Sequence, residues 1–129
     1  MENFNILFVD DEENVLKSYI RVFLNEPIKI YVADNGVDAL KLFSTRDLDL
    51  IITDIKMPDM HGIKLIEEIR KRGSSLPIII YSAYAKMKED CAVENLNIQG
   101  FYAKPDDYNL LCEKIKEMAS IQSSSQDQK

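Results

Sequence analysis

The sequence is poor in several things, and each scarcity narrows what it can be. Its two cysteines, Cys91 and Cys112, have neither metal-ligand spacing nor a companion pair. They read as buried or half-buried free thiols of a reducing compartment, with no structural disulfide expected. No apolar run approaches the roughly 20 residues that cross a bilayer, and the start Met1-Glu2-Asn3-Phe4-Asn5 lacks the basic and then apolar order of a secretory signal. A cytoplasmic protein without membrane contact is expected. Positive charge is short: 16 Lys plus Arg against 22 Asp plus Glu leave a net charge of −6. Phosphate backbones must be neutralised by Lys and Arg, so nucleic acid is not an expected direct partner. With only 4 glycines and 4 prolines, and 46% hydrophobic residues, collagen-like and disordered compositions are excluded. There is no internal repeat.

What is present fits one domain, since 129 residues can bury roughly two thirds of their unfolded surface around a single core. Five strand-like apolar runs recur: Ile6 to Val9, Ile28 to Ala33, Leu50 to Ile52, Pro77 to Tyr81 and Gly100 to Tyr102. The first, third and fourth are continuously apolar, as in parallel strands covered on both faces. Helical spacing separates them. Val15/Leu16, Tyr19/Ile20 and Phe23/Leu24 recur every four residues, Leu40 pairs with Phe43, and Ile63, Ile66 and Ile69 form another stripe. Tyr108, Leu111, Ile115 and Met118 mark the last helix, whereas Lys86 to Leu96 carries a ragged stripe. Asn35 is placed to cap a helix start, Arg70-Lys71-Arg72 before Gly73 suits a helix end, and Pro77 is expected to open the fourth strand. The pattern predicts an α/β domain with a five-stranded parallel sheet and five helices over residues 1–119, and a disordered tail or start of a linker over 120–129.

In such sheets ligands bind outside the carboxyl ends of the strands. Asp10 and Asp11 follow the first strand, Asp54 the third, Ser82 the fourth, and Lys104 with Pro105 the fifth. If the first and third strands are neighbours, three carboxylates converge, and like charges disfavour one another's ionisation unless a cation relieves them. Mg²⁺ suits such oxygens and shares its shell readily with a phosphoryl group. Lys104 then supplies a point charge for a phosphoryl oxygen, Ser82 a hydrogen-bond donor, and Asp54 is the best candidate for a nucleophile that forms a mixed anhydride. Taken alone, Asp10-Asp11-Glu12-Glu13 also reads as acids at a helix start.

Ile6-Leu7-Phe8-Val9-Asp10-Asp11-Glu12, the stretch from Ile51 to Gly62 with Asp54 and Met57-Pro58, Ile79 to Ala83 with Ser82, and Phe101-Tyr102-Ala103-Lys104-Pro105 together resemble the receiver domain of two-component response regulators. The likeness runs from about Asn3 to Ala119. It implies a flavodoxin-like, doubly wound sheet in the order 2-1-3-4-5, and phosphoryl transfer to Asp54 from a histidine kinase or histidine phosphotransfer protein. By the same resemblance, Mg²⁺ is held by Asp11, Asp54 and the Lys56 carbonyl, with Asp10 acting through water. Ser82, Ala83 and Lys104 bind the phosphoryl group, and Lys104-Pro105 is the place of a cis peptide or loop. Ser82 and Phe101 form the switch that reshapes the face of the fourth helix, fifth strand and fifth helix. Lys56 and Tyr84 border the pocket and are expected to set the acyl-phosphate lifetime.

Two positions depart from the family pattern. His61 stands where Asp is usual and reads as a solvated residue at a helix start. Asp106 stands where an apolar residue is common, and Asp106-Asp107 reads as the cap of the last helix. The ragged stripe over Lys86 to Leu96 suggests a weakly packed segment that could switch. Other classes stay open. A Mg²⁺-dependent phosphohydrolase resembling the haloacid dehalogenases would want a second Asp where Lys56 stands. A flavin binder would want a hydroxyl- and glycine-rich first loop in place of the acids. A third class is a pseudo-receiver acting only as a binding module, although no acidic or basic position of the site is missing here. No output motif follows Ala119.

Overall fold

Continuous apolar runs become central strands because both faces of the sheet are covered. The computed structural model describes residues 3–83 and 96–127. Its elements are β1 (Phe4–Val9), α1 (Glu13–Val22), β2 (Ile28–Ala33), α2 (Gly36–Thr45), β3 (Leu50–Thr53), α3 (Gly62–Lys71), β4 (Ile78–Ser82), β5 (Gly100–Ala103) and α4 (Tyr108–Asp127). All strands pair in parallel, in the order β2-β1-β3-β4-β5. Four helices occur among the described residues. The further helix expected over 86–96 lies, but for Leu96 in a turn, outside them, and α4 is the fifth helix of the sequence reading.

Strand alternation splits the core in two. Ile6 and Phe8 of β1 pack with Tyr19 and Phe23 from the first helical segment and with Leu111 and Ile115 of α4. Leu7 and Val9 pack with Ala39 of α2 and with Leu65, Ile66 and Ile69 of α3. Every residue of β3 and β4 is buried, whereas the edge strands β2 and β5 are partly open. Each fully buried Ile, Leu or Phe contributes roughly 1.5–3 kcal/mol, so these paired layers hold the carboxyl edge rigid beneath the site.

Several expected boundaries shift for local reasons. Asn35 does cap α2, its side chain accepting from the Asp38 N–H. Pro77 lies just before β4, where its carbonyl accepts from Ile51 N without a donor being needed from the ring. Ile20 and Leu24, in the first helical stripe, are 41% and 70% exposed, whereas Leu16, Tyr19 and Phe23 are buried in the core and Val15 and Val22 pack partly against it. Asp107 stands immediately before α4, yet its carboxylate turns back to accept from Ala103 N at 2.9 Å, fixing the end of β5. Helical backbone continues to Asp127, since Ser120 to Asp127 contains neither glycine nor proline to stop it. Arg70 and Lys71 occupy the last turn of α3, which Gly73 leaves with φ +83°. Arg70 also donates to the carbonyls of Leu96, Ser74, Leu76 and Asn97.

Candidate functional site

Parallel register brings the carboxyl ends of the strands to one edge. Val9 lies opposite both Ala33 and Thr53, so Asp10 and Asp54 are the next residues of adjacent strands. Backbone hydrogen bonds Asp10 N to Ala33 O (3.1 Å) and Asp54 N to Val9 O (3.0 Å) extend the pairing one step into the site. On the other side Ser82 lies opposite Ala103, and Lys104 N donates to Ser82 O at 2.9 Å. The Lys104–Pro105 peptide is cis.

Asp10, Asp54 and Ser82 are buried, while Asp11 and Glu12 are exposed. One carboxylate oxygen from each of Asp10, Asp11, Glu12 and Asp54 lies within 4.8 Å of the others. The Lys104 ammonium sits among them, 2.7 Å from Asp10 Oδ2, 2.9 Å from Asp54 Oδ2 and 3.3 Å from Glu12 Oε1. The second oxygens are held by backbone: Asp10 Oδ1 accepts from Glu12 N at 2.9 Å, and Asp54 Oδ1 from Ile55 N at 2.7 Å. Burial pushes the Asp10 carboxyl up to about 6, against the lowering effect of Lys104 and the Glu12 N–H. Burial also works against the Lys104 ammonium, but the hydrogen bonds it donates to the Asp10 and Asp54 carboxylates, with their charge, outweigh burial and hold the group above the ordinary lysine range.

An open cleft of about 480 Å³ lies over this cluster. Asp11, Glu12, Asp54, Lys56 and Ala83 line it, together with Met57, Pro58 and His61. Lys56 is exposed at its rim, and Tyr84 lies outside the described residues. Phe101 is not at the cleft; it sits half-buried on β5 against the cluster packed on α2 and α3. His61 is exposed at the N-cap of α3, without a side-chain cap bond and with Nδ1 3.4 Å from Ile55 O.

Sequence reasoning overlooked three contributors. Glu12 stands in the acidic motif after the first strand and among the helix-start acids, but it is given no site role there; its place directly after Asp11 is the signal. Gly62 N donates to Ile55 O at 2.7 Å, and a Cβ there would stand 1.9 Å from Asp54 O, so the segment after β3 lies directly on α3. Tyr81, buried, brings its ring centroid to 5.6 Å from Lys104 Nζ. Nothing in the linear pattern marks that contact, because Tyr81 reads simply as a strand aromatic.

Acids, a lysine with a buried side chain and a hydroxyl thus meet at the carboxyl edge of a five-stranded parallel sheet. The response regulator receiver domain profile matches residues 6–116, and the chain belongs to that family. Its members are signalling phosphoacceptor domains that take phosphoryl groups from histidine kinases or phosphotransfer proteins. The chain is 36% identical over 121 residues to regulatory protein AtoC of Escherichia coli, covering 90% of this chain and 26% of AtoC. To the Escherichia coli regulator of RpoS it is 36% identical over 111 residues, covering 85% of this chain and 33% of that protein. It thus spans about a quarter to a third of the length of these relatives. The response regulator TrrA of Thermotoga maritima, solved in complex with Mg²⁺ and BeF, superposes with a TM-score of 0.78 at 33% identity over 88% of this chain and 97% of that one. Among the described residues no helix is long and apolar enough to cross a membrane.

Proposed function

We infer that this chain is a phosphorylation-operated switch in which Asp54 accepts a phosphoryl group in a Mg²⁺-dependent reaction. The observation that carries this is the Asp54 carboxylate, buried beneath the cleft with Oδ2 2.9 Å from Lys104 Nζ and one oxygen within 4.8 Å of those of three other acids. Clustered carboxylate oxygens are the donor set a hard divalent ion takes, and the relative TrrA was solved with Mg²⁺ and BeF. Asp11, Asp54 and the Lys56 carbonyl would hold the ion, with Asp10 contributing through water. When bound it neutralises acid charge and polarises phosphoryl oxygens.

The chain's own groups do the rest. The Ile55 N–H fixes Asp54 Oδ1, which leaves Oδ2 to attack phosphorus in line with the departing imidazole of a phosphohistidine. Lys104, released from Asp54 Oδ2, follows the charge to a phosphoryl oxygen, and Ser82 and the Ala83 N–H bind others. Movement of Ser82 and Phe101 then reshapes the face of β5 and α4; the helix that the sequence places before β5 in that face lies, but for Leu96, outside the described residues. Lys56 and Tyr84 set how readily water reaches the acyl phosphate. On this reading residues 1–119 are the phosphoacceptor domain, residues 120–129 are a tail or the start of a linker, and the protein works in the cytoplasm with a histidine kinase or phosphotransfer protein. Incubation with Mg²⁺ and acetyl phosphate, read by intact mass, tests it: an acid-labile phosphoryl adduct is expected in the wild type and absent in Asp54→Asn. A wild type without the adduct is a pseudo-receiver, a binding module only.

A further inference from the structure

Lys104 has one partner of a different kind from the rest. Its side chain is only 8% exposed, and its ammonium is held by Asp10, Asp54 and Glu12, all carboxylates. Asp10 and Asp54 are the two that a cation, or phosphorylation of Asp54, would draw away. The fourth neighbour is the ring of Tyr81, with its centroid 5.6 Å from Nζ, within cation–π range. A ring face carries no net charge and coordinates no hard cation, so this contact does not compete with site occupancy.

The ring is itself fixed. Tyr81 is 4% exposed and belongs to β4, one residue before Ser82. Tyr19 meets it edge-on at 6.4 Å, and Tyr108 lies tilted against it at 5.8 Å. Tyr19 in turn stacks on Phe8 at 4.0 Å. The Tyr108 hydroxyl accepts from Ser18 Oγ at 2.6 Å, tying α4 to α1 behind the ring. A flexible four-carbon side chain therefore brings its ammonium over a ring that is packed in place.

Resting on the phosphoacceptor reading above, we propose that Tyr81 is a positioning residue for Lys104: its ring keeps the ammonium over the phosphoryl site when the acids that hold it at rest are engaged elsewhere. Holding the lysine in place beforehand lowers the entropic cost of reaching the phosphoryl group. A desolvated cation–π contact corresponds to about a five- to thirtyfold effect.

Two measurements test this, one of them without metal. In the metal-free protein the Lys104 ε-methylene protons should carry an upfield ring-current shift by NMR, kept in Tyr81→Phe and lost in Tyr81→Leu. Tyr81→Met, which adapts to irregular gaps, replaces the leucine variant if that one does not fold. With Mg²⁺ present, beryllofluoride should bind about five- to thirtyfold more weakly to the aliphatic variant, with phenylalanine restoring wild-type affinity. In a Lys104→Met background the aliphatic substitution should cause no further loss. Unshifted wild-type methylene protons, unchanged beryllofluoride affinity in the aliphatic variant, or an equal loss in the Lys104→Met background would each overturn the proposal. A wild type that neither binds beryllofluoride nor forms the Asp54 adduct removes the phosphoacceptor reading instead, and is told apart because the metal-free shift persists.

Discussion

Replacing Gly62 by alanine probes the contact that seats Asp54. The new methyl would stand 1.9 Å from the Asp54 carbonyl oxygen, 2.9 Å from its carbon and 3.1 Å from Ile55 Cα. An ordinary contact begins near 3.4 Å, so the segments must part by about 1.5 Å at the oxygen. Every obstructing atom is backbone, and none can rotate aside. Parting them strains the 2.7 Å hydrogen bond from Gly62 N to Ile55 O and shifts the end of β3, from which Asp54 projects. Overpacking of this kind costs about 1–3 kcal/mol, with the upper end expected where backbone must yield. In a domain of this size that is a fall in Tm of roughly 10 °C.

Thermal and urea unfolding measure the stability cost, and the rate of Asp54 phosphorylation by acetyl phosphate measures the displacement. Gly73→Ala is the control. Its Cβ meets nothing within 4 Å, but φ is +83°, so it should lose about 1 kcal/mol and leave Asp54 chemistry unchanged at the far end of α3. A Gly62→Ala protein as stable as the wild type and phosphorylated at its rate would refute the close seating of Asp54 on α3.

Three further outcomes follow from the same coordinates. Asp10, raised by burial to about 6 from 3.8, contributes metal-free stability that is full below pH 4 and lost as pH rises through 6. Stability relative to Asp10→Asn should therefore fall by up to about 3 kcal/mol between pH 4 and 7 in urea unfolding; a difference independent of pH would contradict the burial argument. His61→Asp should raise stability by about 0.5–2 kcal/mol at high salt, because a carboxylate can cap α3 where the imidazole makes no cap bond; an unchanged Tm would show that the N–H groups of that turn are already satisfied. Arg70→Lys should lose about 2–3 kcal/mol, since an ammonium cannot reproduce the planar fork that donates to four carbonyls at 2.9–3.2 Å; a loss under about 0.5 kcal/mol would mean that water replaces those bonds.

Strand positions and the four strand-end groups were legible because each rests on a local pattern. Ile6 to Val9 and Ile78 to Tyr81 are apolar without alternation and too short for helices, as strands covered on both faces are, and the polar residue that ends such a run lies at the carboxyl edge. Side-chain direction was less legible. Asp107 occupies a capping position but turns toward Ala103, and Ile20 and Leu24 share the helical period of α1 yet face away from the sheet. Such outcomes depend on what lies opposite, which no spacing records. The Tyr81–Lys104 contact is of the same kind: residues 23 positions apart in sequence meet because β4 and β5 pair in register.

That pairing bears on why the site holds together before any phosphoryl group arrives. Several acids at one edge repel one another, and two of them, Asp10 and Asp54, are buried where water screens little. Lys104 meets both at under 3 Å and acts as the internal counter-ion of the metal-free state. On the proposed reading, Asp54, and Asp10 through water, would turn to Mg²⁺, so ion binding would loosen Lys104 from two of the three acids that hold it. That loosening also sets an order. A phosphoryl dianion meets an ammonium free to receive it only after the acids have found another partner, and the ring of Tyr81 determines where that ammonium waits.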